Sequence, residues 1–589
     1  MAAPAIFVHD AGEYRLTDPG TVVALTATAF EACRRDGLSP SVLDDHTSQP
    51  ELCREPVPYQ RWLIDWLERL DAACHLDGVA RSCAQMIVPS VDSLVVSARM
   101  LAGAVDALTP SAITYVGKVG PVETTGYHNG HLQFWPSLGD VPLAARLLPL
   151  IAAARSLPFT AQHVDTQVVT AGAAVSLRAR LRRELSRSLG PYRRVYREHI
   201  VRPHASTTLM LWYAGYGAEH FATDERASGR ETVFITRGGA STRVIDPGIP
   251  PRHAPGRRLD LTVRAVTALP PAARPILAEL DAWAGVAGAS AILETRLAVF
   301  LRGICVAVAV AARRARREIS RFHIDRLAAA NPSSLEEFTF LIAAKTQGIS
   351  RVLVQHGDHL LSYGSWLITQ TVDFDEFAAS DPTMAEELGA AAAKLGVVAP
   401  RVTYYAPRIA SLHGAASTQT ERAGAVCYVP SFLLGDSSYV GGCNFDDAWY
   451  YRWHLRVLDL MASRPDVQFM WKGLPSSDQA VDPIPAVIAV RALANVVYES
   501  RPFMEMVGGV GRVFTDYPST ALYETAHLGK PILALTFPRF CVVRPAAAAQ
   551  FAQVLRPCDT EEEALANIER FLDADPGDWT LPMARVAIP

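Results

Sequence analysis

The segment that most constrains this chain runs from Val513 to Leu535, VFTDYPSTALYETAHLGKPILAL, where an apolar run, a tight polar turn and a helical pattern follow one another without a spare residue. Arg512 to Thr515 reads as a buried strand and Asp516-Tyr517-Pro518 as a turn, and Ser519 and Thr520 stand where the helix through Ala521, Glu524 and Leu528 must begin. Gly529-Lys530-Pro531 stops that helix, and Ile532 to Leu535 opens the next strand. A β-turn-α-turn-β unit of this kind commits the chain around it to a parallel sheet with helical crossovers. A helix start offers unpaired N–H groups and partial positive charge, and two hydroxyls beside it suit a diphosphate or a nucleoside monophosphate. Simple helix capping by Ser519 and Thr520 is the competing account of the same residues.

The surrounding pattern agrees with that unit. From about residue 320, short apolar runs alternate with helical stretches: strands at Arg351 to Gln355, Val402 to Tyr405, Ala425 to Val429, Val467 to Trp471 and Val496 to Tyr498, and helices at Ser334 to Gln347, Thr383 to Leu395, 446 to 463 and Thr560 to Leu572. Further upstream, Ala5 to Val8 followed by a helical pattern from Val22 to Arg35 reads as a first β-α unit. Tyr59 to Cys74 and Val91 to Leu108 read as helices, Ile113 to Val116 as a strand, and 142 to 202 as mostly helical. Strands at Leu209 to Tyr213 and Val233 to Thr236, a Gly/Pro/Arg-rich loop over 240–260, and helices at 272–286 and 289–319 complete the pass. The small, polar stretch HGAASTQTERAG at 413–424 reads as an interdomain linker. The expected organisation is a helix-rich N-terminal α/β region over 1–200, α/β domains over 201–415 and 416–575, and a tail over 576–589. The boundary at 200 is left open, because the first two regions can also be continuous.

With 589 residues, 49% of them hydrophobic, and a formal net charge of −4, the chain is too long for one core and has no charge bias toward nucleic acid. Its basic stretches form no interleaved aromatic stacking platform, so no nucleic-acid partner is expected. The nine cysteines show neither a C-x-x-C pair nor zinc spacing, and Met1 to Ile6 lacks a secretory pattern, so reduced thiols and a cytoplasmic location are expected. Leu297 to Ala312 is apolar but broken by Arg302 and shorter than the roughly 20 residues that span a bilayer, which makes it a buried helix. Arg313 to Arg317, and Arg178 to Arg202 with Arg182, Arg183, Arg193 and Arg194, are strongly basic. Either stretch suits peripheral contact with an anionic membrane, on its inner face, or a phosphorylated acceptor; a solvated helix face is the alternative.

Five short motifs stand in one order, each at the carboxyl end of an expected strand, where open α/β sheets bind ligands. Gln355-His356-Gly357-Asp358-His359-Leu360 resembles the HGTPLK-type segment of the CDP-glycerol glycerophosphotransferase family and the QHG segment of capsule and surface-carbohydrate transferases. Ala406-Pro407-Arg408 is similar to their G-x-P-R turn, Tyr428-Val429-Pro430-Ser431 to their Y-x-P-T, Lys472-Gly473-Leu474-Pro475 to their K-x-H-P, and Asp516-Tyr517-Pro518-Ser519-Thr520 to their D-Y-S-S. The resemblance covers roughly residues 320–540. Leu474 stands where that family has His, and Leu361 where it has the Lys of HGTPLK, so transfer of a sugar is favoured over transfer of glycerophosphate. Aligned on Gly529-Lys530-Pro531, the opening segment also resembles the S-G-G-x-x-E-E-A-x-x-x-G-K-P stretch of UDP-N-acetylglucosamine 2-epimerases, with Glu524 on the second Glu.

The resemblance implies an α/β fold of the GT-B type, two Rossmann-like domains facing across a cleft, with a large helix-rich N-terminal extension or insertion. It implies a metal-independent glycosyltransferase moving a sugar from a CMP-, CDP- or UDP-linked donor to a surface-polysaccharide or lipid-linked acceptor, with no cofactor. A polyol-phosphate transferase and a non-catalytic scaffold in polysaccharide assembly are the alternatives, and a 2-epimerase ranks behind them. Glycosyl transfer needs a base for the acceptor hydroxyl and charge stabilisation for the departing phosphate. His356, with Asp358 to orient it or take its role, is the expected catalytic base, and His9 with Asp10 is the second candidate. Lys472, Asp516, Ser519, Thr520, Glu524, Ser431 and Arg408 are the expected donor-binding residues, Glu524 accepting from the ribose hydroxyls. Arg501 is a further candidate to replace the charge missing at Leu474. Ordinary turns, caps and surface ion pairs are the plain readings of these same residues.

Overall fold

Runs of Val, Ile, Leu and Phe with almost no alternation mark strands buried on both faces, the condition of a parallel sheet under helices. Three such sheets form. The computed structural model describes residues 3–9, 20–48, 50–117, 119, 142–164, 207–211, 221, 225, 228, 230–235, 268–321, 324–329, 332, 335–355, 362–363, 373–379, 384–404, 422–431, 433, 446–473 and 482–581. The expected loop at 240–260, residues 413–421 of the linker and the basic stretch 178–202 lie outside them.

The first sheet holds β1 (Ala5–Val8), β2 (Thr21–Ala24), β3 (Ser41–Val42), β4 (Ile113–Gly117) and β5 (Phe159–His163) in the order β3-β2-β1-β4-β5, all parallel. The N-terminal region is therefore more than a helical extension, because it carries a doubly wound sheet of its own. Two sequence expectations change here. Thr21 to Ala24 is a strand rather than the start of a helix: its β-branched residues fit the sheet, and Thr26 caps the Ala27–Arg35 helix by accepting from Ala29 N at 3.0 Å. Phe159 to His163, expected as helix, is an edge strand drawn into extended form by its register with β4.

The second sheet contains β6 (Thr207–Leu211), β7 (Glu231–Ile235), β8 (Ile324–Ala329), β9 (Ser350–Val354), β11 (Glu376–Ala379) and β12 (Arg401–Tyr404) in the order β12-β11-β9-β8-β6-β7. The third contains β13 (Arg422–Val429), β14 (Phe469–Lys472), β15 (Val496–Glu499), β16 (Val510–Thr515), β17 (Ile532–Thr536) and β19 (Leu555–Pro557) in the order β15-β14-β13-β16-β17-β19. Counted along the chain, this last order is 3-2-1-4-5-6, that of dinucleotide-binding sheets. The end of the expected linker is absorbed here, since Arg422 already pairs with Val510. A two-stranded antiparallel ribbon of β10 (Ser362–Tyr363) and β18 (Val542–Val543) ties the second sheet to the third.

Two cores lock the three sheets together. One packs the Pro56–Ala73 and Val88–Leu108 helices of the N-terminal region against the helical run after 271 and the Leu335–Thr346 helix of the second sheet. There Trp66 donates its indole N–H to Ile276 O at 2.8 Å, and Arg69 makes a two-armed ion pair with Glu279. The other core joins the opposite face of the first sheet to the Asp447–Ser463 helix of the third. Tyr451 on that helix donates to Glu31 at 2.9 Å. The apolar stretch Leu297 to Ala312 belongs to the helical run Ala289 to Arg321, close to the 289–319 expected, with a π-helical turn at Val299–Cys305, and Phe300, Leu301 and Ile304 are fully buried.

Candidate active site at the carboxyl edge of the third sheet

In a 3-2-1-4-5-6 sheet the strand order reverses between strands 1 and 4, here β13 and β16, and the crevice outside their carboxyl ends is where ligands bind. Helices after strands 1 and 2 cover one face and those after strands 4 and 5 the other, as right-handed crossovers require. The Asp447–Ser463 helix accordingly lies on one side, and the Thr520–His527 helix, with Leu522 and Ala526 packed on Cys427 and Met470, on the other.

The floor of the crevice is a buried carboxylate. Asp516, just past β16, accepts from Tyr450 Oη at 2.7 Å, from Trp453 Nε1 at 2.9 Å, from Ser431 N at 3.3 Å and from the Tyr428 hydroxyl. Burial pushes its carboxyl up from the usual range, and these donors pull it partly back. Asp516, expected to meet the donor, instead joins the ends of β13 and β16 to the helix between β13 and β14. Ser431, also expected on the donor, spends its backbone N–H on the same hub. Thr515 Oγ1 closes the seam, 2.8 Å from Val429 O. His454 sits beneath, its ring 4.1 Å from that of Tyr450 and 5.1 Å from that of Trp471, and burial takes its imidazole down to about 3.

Above the floor, the Thr520–His527 helix begins with Ser519 as its N-cap residue in an extended conformation, and the Ser519 side chain makes no capping hydrogen bond. The capping account of this hydroxyl therefore fails. Among the described residues neither the Ser519 nor the Thr520 hydroxyl has a hydrogen-bond partner, and the first N–H groups of any helix have no intrahelical acceptor. No acidic residue occupies the first turn.

Lys472 ends β14, level with Val429 of β13 and Thr515 of β16 through the register Trp471–Tyr428–Phe514. It lies two residues beyond Met470, so its side chain projects to the face that the Thr520–His527 helix covers. Two strand spacings, about 10 Å, separate it from β16. Its ammonium is buried and donates to Gly473 O, and burial lowers its pKa. Among the described residues no carboxylate lies within ion-pair distance of it; the nearby Glu499 is taken by Arg501, at 2.6 Å. That pair also answers the expectation for Arg501, whose charge is neutralised in place. Gly473 is required where it stands, since a Cβ there would fall 2.0 Å from the Tyr498 hydroxyl.

Glu524 lies one turn into the helix, half-buried, and burial pushes its carboxyl up to about 8, so at neutral pH it is largely protonated. An acid with a raised folded-state pKa stabilises the fold only below its unfolded value, and that contribution is lost as pH rises through the window from 4.5 to about 8. Glu524→Gln should remove this dependence: the variant gains on the wild type by roughly 2 to 4 kcal/mol between about pH 5 and about pH 8, allowing for partial exposure. Urea unfolding at the two pH values measures the gap, and parallel profiles for the two proteins would contradict it.

Arg539, past the carboxyl end of β17, was not singled out from sequence. Its guanidinium stacks on Trp449 at 4.9 Å and Phe540 at 4.5 Å, and its buried Nε has no hydrogen-bond partner among the described residues. It places a second cation without a carboxylate partner at this edge, on the side of the Asp447–Ser463 helix. In a chain this rich in arginine, only its position after a strand, between Phe537 and Phe540, could have marked it.

His356, Asp358, Arg408 and Asp10 lie outside the described residues. On either side of the first two, Gln355 follows β9, and Ser362 of β10 pairs with Val543 of β18, a few residues beyond β17. The carboxyl ends of the second and third sheets are thus joined by a ribbon. His9, at the end of β1, is half-buried, its Nε2 shut off from solvent and without a partner among the described residues, and burial lowers its pKa to about 4. No three His, Cys, Asp or Glu side chains among the described residues converge to hold a metal ion.

The sheets define an α/β protein with two six-stranded doubly wound parallel sheets and a third, five-stranded one at the N-terminus. No known family profile matches the chain, and no curated protein sequence matches it. Among solved structures it is similar to MurG from Acinetobacter baumannii, at 12% identity and a TM-score of 0.33, over 65% of this chain and 93% of that one. It is similar to the UDP-GlcNAc 2-epimerase of Methanocaldococcus jannaschii, solved with UDP-GlcNAc and UDP, at 8% identity and a TM-score of 0.39, over 65% and 97%. It is also similar to the wall teichoic acid polymerase TagF, at 10% identity and a TM-score of 0.34, over 70% and 92%.

Proposed function

We propose that the chain is a glycosyltransferase that takes a sugar from a CMP-, CDP- or UDP-linked donor and passes it to a surface-polysaccharide or lipid-linked acceptor. One observation carries the reading. A buried lysine with no carboxylate partner among the described residues and a helix start with two unspent hydroxyls lie on one face of a switch-point crevice, after strands that are two strand spacings, about 10 Å, apart. A nucleoside diphosphate bridges that span, its charge met by Lys472 at one end and by the helix N-terminus, Ser519 and Thr520 at the other. Glu524, largely protonated at neutral pH, faces the ribose as a neutral hydrogen-bonding group.

In the proposed reaction the acceptor oxygen forms a bond to the anomeric carbon and its proton goes to His356, oriented by Asp358. The bond from that carbon to the donor phosphate oxygen breaks, and the nucleotide leaves with the electron pair. Lys472 and the helix start stabilise the charge that develops on the leaving phosphate, without calling on a divalent ion. His356 is favoured over His9 because an imidazole held near 4 is a weak base at neutral pH. Arg408 would supply a further charge for the donor phosphates.

A thermal-shift series with CMP, CDP, UDP and GDP tests the reading. Stabilisation by one of them names the donor class, and no shift with any of them rejects a nucleotide-dependent transferase. If a nucleotide binds, yet no product forms with any sugar donor and His356→Ala changes nothing, the chain is a scaffold in polysaccharide assembly.

A further inference from the structure

The helical run from Ala289 to Arg317 is long and apolar enough, by length and composition, to cross a bilayer, but most of it is buried in the core shared by the first two sheets. Val306 and Val310, one turn apart, are 44% and 52% exposed, and Arg302, Arg313, Arg314 and Arg317 are exposed beside them. At about 100° per residue, positions 306, 310, 313, 314 and 317 fall within an arc of roughly 100°, while Val308, Ala312, Ala315 and Ile319 face the core.

A solvated basic face normally carries acidic partners three or four residues away. Here residues 295 to 317 contain six arginines and no Asp or Glu, and acids stand only at the two ends of the run, Glu294 and Glu318, the latter four residues after Arg314. Among the described residues no carboxylate lies within ion-pair distance of Arg313, Arg314 or Arg317. Bare valines among unneutralised arginines suit neither water nor a nucleic-acid backbone, which would leave the valines unburied and find no aromatic ring to stack on. They match an interfacial surface, where apolar side chains enter the headgroup boundary and guanidinium groups meet lipid phosphates.

We propose that this face of the Val306–Arg321 helix docks the protein on an anionic lipid bilayer. The docking stands whether or not the chain transfers a sugar, because it draws on none of the residues at the carboxyl edge. The occupant is the bilayer surface itself: the helix stays folded in the core and lays only its outer face on the lipid.

Co-sedimentation of the full chain with phosphatidylcholine vesicles, with and without phosphatidylglycerol, tests it. Binding is expected only to the anionic vesicles and should weaken as salt is raised. A membrane-proximal basic residue contributes roughly fivefold to partitioning, so Arg313→Glu with Arg317→Glu should lower it by about 25-fold or more. Val310→Asp should also weaken it without moving the melting temperature, and Lys394→Glu, an exposed cation on the Met384–Leu395 helix, should leave it unchanged. No binding to anionic vesicles, or binding that survives the double charge reversal, overturns the proposal.

Discussion

Asp516→Ala is expected to cost about 3 to 5 kcal/mol of folding stability, the range for removing one partner of a buried charged network. The variant takes away the carboxylate that accepts from the hydroxyls of Tyr428 and Tyr450 and from the indole N–H of Trp453, while the backbone N–H of Ser431 keeps Tyr450 Oη. Each of the three side-chain donors is shut off from water, so each loses most of a hydrogen bond without replacement. Asp516→Asn, which keeps an acceptor but turns part of the group into a donor facing donors, should lose less, about 1 to 3 kcal/mol. Since domains hold only about 5 to 15 kcal/mol in reserve, the alanine variant is expected at low yield and the asparagine variant supplies the quantitative reading. Chemical unfolding of both against the wild type decides the matter. An alanine variant within about 1 kcal/mol of the wild type, but unable to bind nucleotide, would return Asp516 to the role of a ligand contact.

The second large effect has the opposite profile. Ser519→Ala with Thr520→Ala should abolish the nucleotide-induced thermal shift while leaving the apo protein within about 0.5 kcal/mol of the wild type. A lost N-cap usually costs about 0.5 to 2 kcal/mol, but Ser519 makes no capping hydrogen bond that could be lost. A hydrogen bond from a hydroxyl to a charged phosphate contributes about 1.5 to 3 kcal/mol, so losing two should weaken nucleotide affinity by about 100-fold or more. Titration calorimetry with the nucleotide picked out by the thermal-shift series measures the loss. If the apo protein falls by a full cap's worth while nucleotide affinity holds, these hydroxyls are structural and the phosphate site lies elsewhere.

These two results bear on how far a site can be read from a sequence. The strand, turn and helix of residues 513–535 were legible because each step is local: β-branched and aromatic residues for the strand, Pro518 in the turn, and Gly529 with Pro531 to stop the helix. The strand ends at Val429 and Lys472 were legible for the same reason. The partition of roles within the motif was not. Asp516, Ser519 and Thr520 are all polar residues at a strand-helix turn. Which one points into the floor and which into the crevice depends on Tyr428, Tyr450 and Trp453, which lie more than sixty residues upstream.

Thr21 to Ala24 and Phe159 to His163 went the other way, from expected helix to strand. Each has neighbours compatible with either state over four or five residues, and pairing with Ala5–Val8 and Ile113–Gly117 selected the extended form. Arg539 carries no local mark at all, and its standing comes from two aromatic rings and from the strand it follows.

By itself the sequence determined the local periodicities, the helix stops, the polar strand ends and the arginine-rich stretch before Glu318, because these rest on steric and charge preferences of residues close in the chain. The tertiary structure decided the rest: that the third sheet is wound 3-2-1-4-5-6, that β10 pairs with β18, and that Lys472 is buried with no carboxylate partner among the described residues. Burial and the absence of a counter-charge are properties of a whole environment, and that environment is assembled from segments far apart in the chain.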